Sequence, residues 1–108
     1  MIPQIKPEQV AEKIQRGETV YLLDVREPWE NEYCQLPNSV LIPLSELSSR
    51  VSEVEPEDGS LVVVYCHHGV RSLTGASILM EAGITNVASM KGGIDRWSAR
   101  VDSKVPRY

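Results

Sequence analysis

Cysteine is scarce in this chain, with only Cys34 and Cys66 among 108 residues. Two thiols are too few for a secreted scaffold that replaces a small core with several disulfides. Positive charge is also short. Lys and Arg total 11 against 15 Asp and Glu, a net charge of -4, and a chain in basic deficit is not built for general phosphate-backbone binding. Long apolar runs are missing, none approaching the roughly 20 residues of a membrane span. The opening "MIPQIKPEQV" lacks the charged-then-apolar order of a signal peptide. No repeat, low-complexity tract or linker is visible. The expectation is therefore one domain over residues 1–108, in a reducing cytoplasmic compartment, without nucleic-acid or membrane contact.

What is present alternates. Pro7 opens a helical segment with Val10, Ala11 and Ile14 on one face, and Gly17 ends it. "VYLLDV", Val20 to Val25, is almost continuously apolar, as in a strand covered on both faces. "VLI", Val40 to Ile42, is a shorter strand candidate stopped by Pro43, and Leu44, Leu47, Val51 and Val54 then recur at helical spacing. "LVVVY", Leu61 to Tyr65, is the clearest buried strand. Helical spacing returns from Arg71 to Ala82 and Gly83 caps it, "NVASM" reads as a last short strand, and "GGIDRWSARV" as a glycine turn with a final helix. The gaps between strands suit crossovers rather than hairpins. The pattern predicts an α/β domain, a mainly parallel sheet with helices on both faces.

Within this frame "YCHHGVRS" stands out. Cys66 ends a buried strand and faces the first turn of a helix, the position where open α/β sheets bind ligands. Backbone amides in a tight loop before a helix converge into an anion-binding nest, and the helix dipole adds to it. Gly69 lets the loop curl, and Arg71 contributes a permanent charge. Each element favours a thiolate over a thiol. The plainer alternative, a small buried hydrophobe, explains none of these neighbours.

"CHHGVRS" resembles the active-site loop of rhodanese domains, commonly Cys-Arg/His-x-Gly-x-Arg-Ser/Thr. "LLDVREPWENEYCQLPNSVLIPL" is similar to the first motif of that family, and "MKGGIDRW" to its closing Gly-Gly-x-x-x-Trp motif. The ending "VDSKVPRY" looks most like the rhodanese domain appended to E1-like enzymes that charge sulfur carriers. Two departures stand against this background. Cys34, Gln35 and Leu36 occupy the place of a common Gly-His-Ile triplet, and His67 stands where arginine is frequent, making the pocket less positive.

The resemblance implies a sulfurtransferase working through a Cys66 persulfide. His67, His68, Gly69, Val70, Arg71 and Ser72 would bind substrate and stabilise the persulfide, with Asp24 and Arg26 as structural support and Glu30 as their partner. Thiosulfate or a persulfide would be the donor, and a thiol, cyanide, thioredoxin or sulfur-carrier protein the acceptor, with no metal or organic cofactor. Cysteine phosphatases place more residues between cysteine and arginine than the four found here. A zinc site is disfavoured because adjacent Cys66, His67 and His68 do not match the usual ligand spacing. A non-catalytic or redox-sensing module is the alternative, although such modules usually lose the cysteine.

Other residues read less sharply. Cys34 is either a resolving thiol or a semi-buried small residue in a loop, and the second is the expectation. Trp97 is expected to pack the last helix onto the sheet, whereas Trp29 fits either the core or the site rim. The acidic "SEVEPEDG" reads as a solvated helix end and turn. "KVPRY" reads as a loosely held terminus rather than a docking segment.

Overall fold

The computed structural model describes residues 1–108. Five strands, β1 (Gln4–Ile5), β2 (Val20–Asp24), β3 (Val40–Leu41), β4 (Leu61–Tyr65) and β5 (Val87–Met90), form one sheet in the order β1-β5-β4-β2-β3. Every pairing is parallel. Between them run α1 (Pro7–Gln15), α2 (Pro28–Tyr33), α3 (Leu44–Arg50) with a short 3-10 turn over Val51–Glu53, and α4 (Arg71–Glu81), and α5 (Gly93–Arg100) follows β5.

The run of apolar residues in β4 has a simple cause. Val63 and Tyr65 join Val10, Ile94 and Trp97 in the core beneath α1 and α5. Val62, Val64 and Cys66 point the other way, into a second core with Leu47, Ala76 and Leu79 of α3 and α4. A parallel strand covered on both faces needs an apolar side chain at every position. β2 repeats the pattern, with Leu22 in the first core and Leu23 and Val25 in the second.

Two elements escape periodicity. β1 has two residues, of which only Ile5 is buried, so it carries no alternation. α2, "PWENEY", has no apolar stripe at all, and its buried residue is Glu30. It is nevertheless marked locally: Pro28 occupies the first turn, and the Glu27 N–H donates to Glu30 Oε1 at 2.9 Å, half of a capping box. The first motif thus holds a helix between its two strands, ending next to Cys34.

The sheet order positions the site. After β2 the chain goes outward to β3, then returns to place β4 on the other side of β2. The segments leaving β2 and β4 therefore diverge, the first toward Cys34 in one core and the second into α4 over the other. In open α/β sheets such a divergence marks the ligand crevice at the carboxyl ends of the strands, here β2 and β4. Cys66 lies there. No helix is long and apolar enough to cross a membrane.

Candidate active site

Cys66 continues the alternation of β4 by one residue and is 1% exposed. Its Sγ accepts hydrogen bonds from the backbone N–H of Gly69 at 3.1 Å and of Ser72 at 3.3 Å. The thiol faces Ser72 Oγ at 3.5 Å, and that hydroxyl pairs with Ser89 Oγ of β5 at 2.7 Å. Ser72 and Ser89 are both fully buried. The loop from Cys66 to Ser72 thus wraps the sulfur, with the N-terminus of the 11-residue α4 aimed at it.

Of the loop residues singled out by sequence, Gly69 and Ser72 reach the sulfur directly. The N–H groups of His67, His68, Val70 and Arg71 donate to no protein acceptor and remain free for a ligand. The Val70 side chain is exposed, as is that of His68. His67 is half-buried. Burial and the adjacent His68 hold its imidazole below the usual histidine range, which keeps it neutral around pH 7. Its Nε2 is buried without a partner.

The closing glycines act directly beneath this loop. Gly69 has φ +91°, and a Cβ there would meet Gly92 N at 2.8 Å and Met90 O at 3.2 Å. At Gly93 a Cβ would meet His67 O at 2.3 Å and Cys66 O at 2.5 Å. The first turn of α5 then donates from Ile94 N to Cys66 O at 2.9 Å and from Asp95 N to His67 O at 3.1 Å. These bonds occupy the carbonyls of Cys66 and His67, while the Gly69 and Ser72 amides point at the sulfur, an arrangement that suits an anion. "MKGG" reads in sequence only as a turn, and its contact with the loop depends on β5 lying beside β4.

Arg71 pairs with a carboxylate rather than hydrogen-bonding the sulfur. Its Nη1 and Nη2 donate to Glu30 Oε1 and Oε2 at 2.7 and 2.9 Å, a bidentate pair across the crevice. Burial alone would raise the Glu30 carboxyl, but Arg71, the Glu27 N–H and the Tyr108 hydroxyl hold it at about 2. The expected partnership of Glu30 with Asp24 and Arg26 is corrected here. The Arg26 guanidinium reaches only the Glu30 backbone oxygen, at 3.4 Å. Arg26 is fully buried and pairs instead with Asp24, Nε to Oδ1 at 2.9 Å and Nη2 to Oδ2 at 2.7 Å. It also donates to the carbonyl of Cys34 at 2.6 Å, fixing the end of α2.

The tail overturns the expectation of a loose terminus. The ring of Tyr108 stacks on His67 with centroids 3.8 Å apart and planes 4° from parallel. Its hydroxyl accepts from Arg26 Nη1 at 2.8 Å and donates to Glu30 Oε2 at 2.7 Å. Trp29 and Tyr33 of α2 meet the same ring edge-on, which places exposed Trp29 on the rim rather than in the core. Arg107 pairs with Asp95, and Ser98 of α5 donates to Val105 O. No local pattern in "KVPRY" signals the placement of Tyr108, because Arg26, Glu30 and His67 are distant in sequence.

The two cysteines are not bonded to each other. Cys34 is buried at the end of α2 in the core opposite that of Cys66, with Arg26 Nη1 3.9 Å from its sulfur.

Comparison with known proteins places this geometry. A family model described as "Rhodanese-like domain" matches residues 6–100. A "Sulfurtransferase" of Allochromatium vinosum is 33% identical over 98 residues, covering 91% of this chain and 90% of the relative. The adenylyltransferase and sulfurtransferase UBA4 of Yarrowia lipolytica is 38% identical over 81% of this chain, which spans only 22% of that protein. Among solved structures, thiosulfate sulfurtransferase from Pseudomonas aeruginosa superposes with a TM-score of 0.84 at 28% identity, over 98% of this chain and 20% of that one. A rhodanese-related protein from Thermoplasma volcanium gives 0.80 at 31% identity, over 92% and 93% of the two chains.

Proposed function

From the chain's membership of the rhodanese-like domain family we propose that it is a sulfurtransferase, moving sulfane sulfur through a persulfide on Cys66. The observation that carries this is the amide cradle. Two N–H groups already hold the Cys66 sulfur, at 3.1 and 3.3 Å, and four more in the same loop have no acceptor. A persulfide extends the side chain by one sulfur atom and places a negative charge on it. Preorganised dipoles stabilise such a charge without reorganising.

In the first step the Cys66 thiolate attacks the outer sulfur of thiosulfate or of a donor persulfide. A new S–S bond forms, and the old bond breaks with its electron pair leaving on sulfite or on the donor thiolate. In the second step a nucleophile attacks the terminal sulfur and releases the Cys66 thiolate. Cyanide would leave as thiocyanate, and a thiol, thioredoxin or sulfur-carrier protein would leave carrying the sulfur. Such double displacement follows ping-pong kinetics. Neither step needs a general base, which fits two histidines that are respectively neutral and exposed, or a cofactor. Arg71 acts by charge and by anchoring the loop to Glu30. The names of the relatives support sulfur transfer as the reaction class.

Mass spectrometry of the reduced protein after incubation with thiosulfate, and separately with inorganic polysulfide, tests this. One added sulfur on Cys66, removed by cyanide, is the expected result. No adduct from either donor would instead favour a binding or redox-sensing module.

A further inference from the structure

We propose that Tyr108 is a positioning residue of the sulfur-transfer site, acting on Arg71 through Glu30 and on the Cys66 loop through His67. This rests on the sulfurtransferase reading above. Tyr108 touches both halves of the crevice, with its hydroxyl between Arg26 and Glu30 and its ring on His67. Its hydroxyl accepts from the buried Arg26, which is locked to Asp24 at the end of β2, and donates to Glu30, which holds Arg71 at the start of α4. The result is an uninterrupted chain, Asp24, Arg26, Tyr108, Glu30, Arg71, crossing from one core to the other.

The bond to Glu30 requires a protonated phenol, whereas the bond from Arg26 uses only the oxygen's lone pair. Burial pushes the Tyr108 hydroxyl well above the usual tyrosine range, so that it stays a donor to Glu30. Without it Glu30 would keep Arg71 and the Glu27 N–H alone, and Arg26 Nη1 would lose its best-placed acceptor. The Glu30 carboxylate, the only one that Arg71 pairs with, would then be less firmly oriented toward the guanidinium.

The ring does a second job. It lies flat on one side of His67 while His68 tilts against His67 at 3.8 Å and 32°. His67 thus has its ring packed and its carbonyl bonded to Asp95 N. The residue following the nucleophile is fixed at both ends. Arg107, paired with Asp95 of α5, and the Ser98 bond to Val105 hold the tail in place from the other side.

Two substitutions separate the two jobs. Tyr108→Phe keeps the ring and removes the hydroxyl, whereas Tyr108→Ala removes both. With thiosulfate as donor and cyanide as acceptor, Tyr108→Phe should raise the KM for thiosulfate about three- to tenfold, the loss typical of one hydrogen bond, with kcat within about twofold. Tyr108→Ala should lower kcat as well, because the loop loses its ring contact. In a Glu30→Gln background the Tyr108→Phe effect on KM should shrink to within about twofold, since the hydroxyl acts through that carboxylate. Wild-type kinetics in both Tyr108 variants would overturn the proposal, as would an undiminished Tyr108→Phe effect beside Gln at position 30.

A spectroscopic arm does not depend on turnover. The ring protons of His67, shielded by the stacked phenol, should move downfield in Tyr108→Ala and stay near their wild-type shifts in Tyr108→Phe. Unmoved shifts in Tyr108→Ala would remove the contact on which the proposal stands. A wild-type protein that takes up no sulfur but shows the shift would sink the sulfurtransferase reading and leave the placement of Tyr108 intact.

Discussion

Cys34 and Cys66 are both outside any disulfide, both buried and both at the end of a secondary-structure element, yet they live in opposite chemical settings. The sulfur of Cys66 receives two backbone N–H bonds and sits at the mouth of α4. The surroundings of Cys34 are a guanidinium already committed to Asp24, and the Cys34 group that Arg26 holds closely is the carbonyl, at 2.6 Å against 3.9 Å for the sulfur. Burial alone therefore does not tell the two sulfurs apart. What separates the two is the presence of unspent backbone donors, which a helix N-terminus provides and a helix C-terminus does not.

The sharpest way to break this contrast is to exchange the thiols. Cys66→Ser should take up no sulfur from thiosulfate or polysulfide, by intact-mass measurement, while Cys34→Ser should load and turn over within about twofold of wild type. Loss of turnover in Cys34→Ser with Cys66 still loading would make Cys34 a relay thiol and erase the distinction.

A second test strains the cradle without touching its sulfur. Gly69→Ala puts a Cβ at φ +91° and 2.8 Å from the Gly92 nitrogen, where backbone must give way. The expected cost is about 1–3 kcal/mol of stability, read as a lowered midpoint in urea, together with slower sulfur loading. Gly83→Ala is the control, because its φ is also positive, at +97°, but nothing lies within 4 Å. It should lose some stability and keep its loading rate. Equal loading in both variants would show that the packing of Gly69 on the Gly92 turn is irrelevant to the site.

The smallest expected effect concerns acid. Glu30 is held at about 2, below its ordinary 4.5. A carboxyl depressed on folding contributes stability that is complete above the unfolded value and fades as pH falls from about 4.5 toward 2. Glu30→Gln should flatten that part of the stability-against-pH curve while leaving its shape above pH 6 unchanged. The Cys34 side offers the comparison, because the same acid titration of Cys34→Ser should retain the wild-type slope. An identical slope in Glu30→Gln would mean that the link between Glu30 and Arg71 contributes nothing across the crevice.

Much of the fold was readable from local pattern. β2, β4 and α4 announce themselves through apolar continuity and helical spacing, and Cys66, Gly69, Arg71 and Ser72 stand together in one short loop. β1 was silent because two residues carry no period. α2 was silent because its inward group is a carboxylate, and only its proline and capping box mark it. Glu30 was visible as a partner for a cation, but the cation proved to be Arg71, 41 residues away, rather than nearby Arg26.

The sequence by itself therefore determined the alternation of strands and helices and the residues of the cysteine loop, since both rest on neighbours within one turn or one strand. Tertiary structure alone decided what surrounds that loop. Gly93 lies beneath Cys66 because β5 pairs with β4, Glu30 faces Arg71 because the chain reverses its course between β3 and β4, and Tyr108 closes over His67 because α5 delivers the tail there. Hydrogen bonds and stacking act over a few ångströms of space, and no spacing along the chain records which distant segments will come within that range.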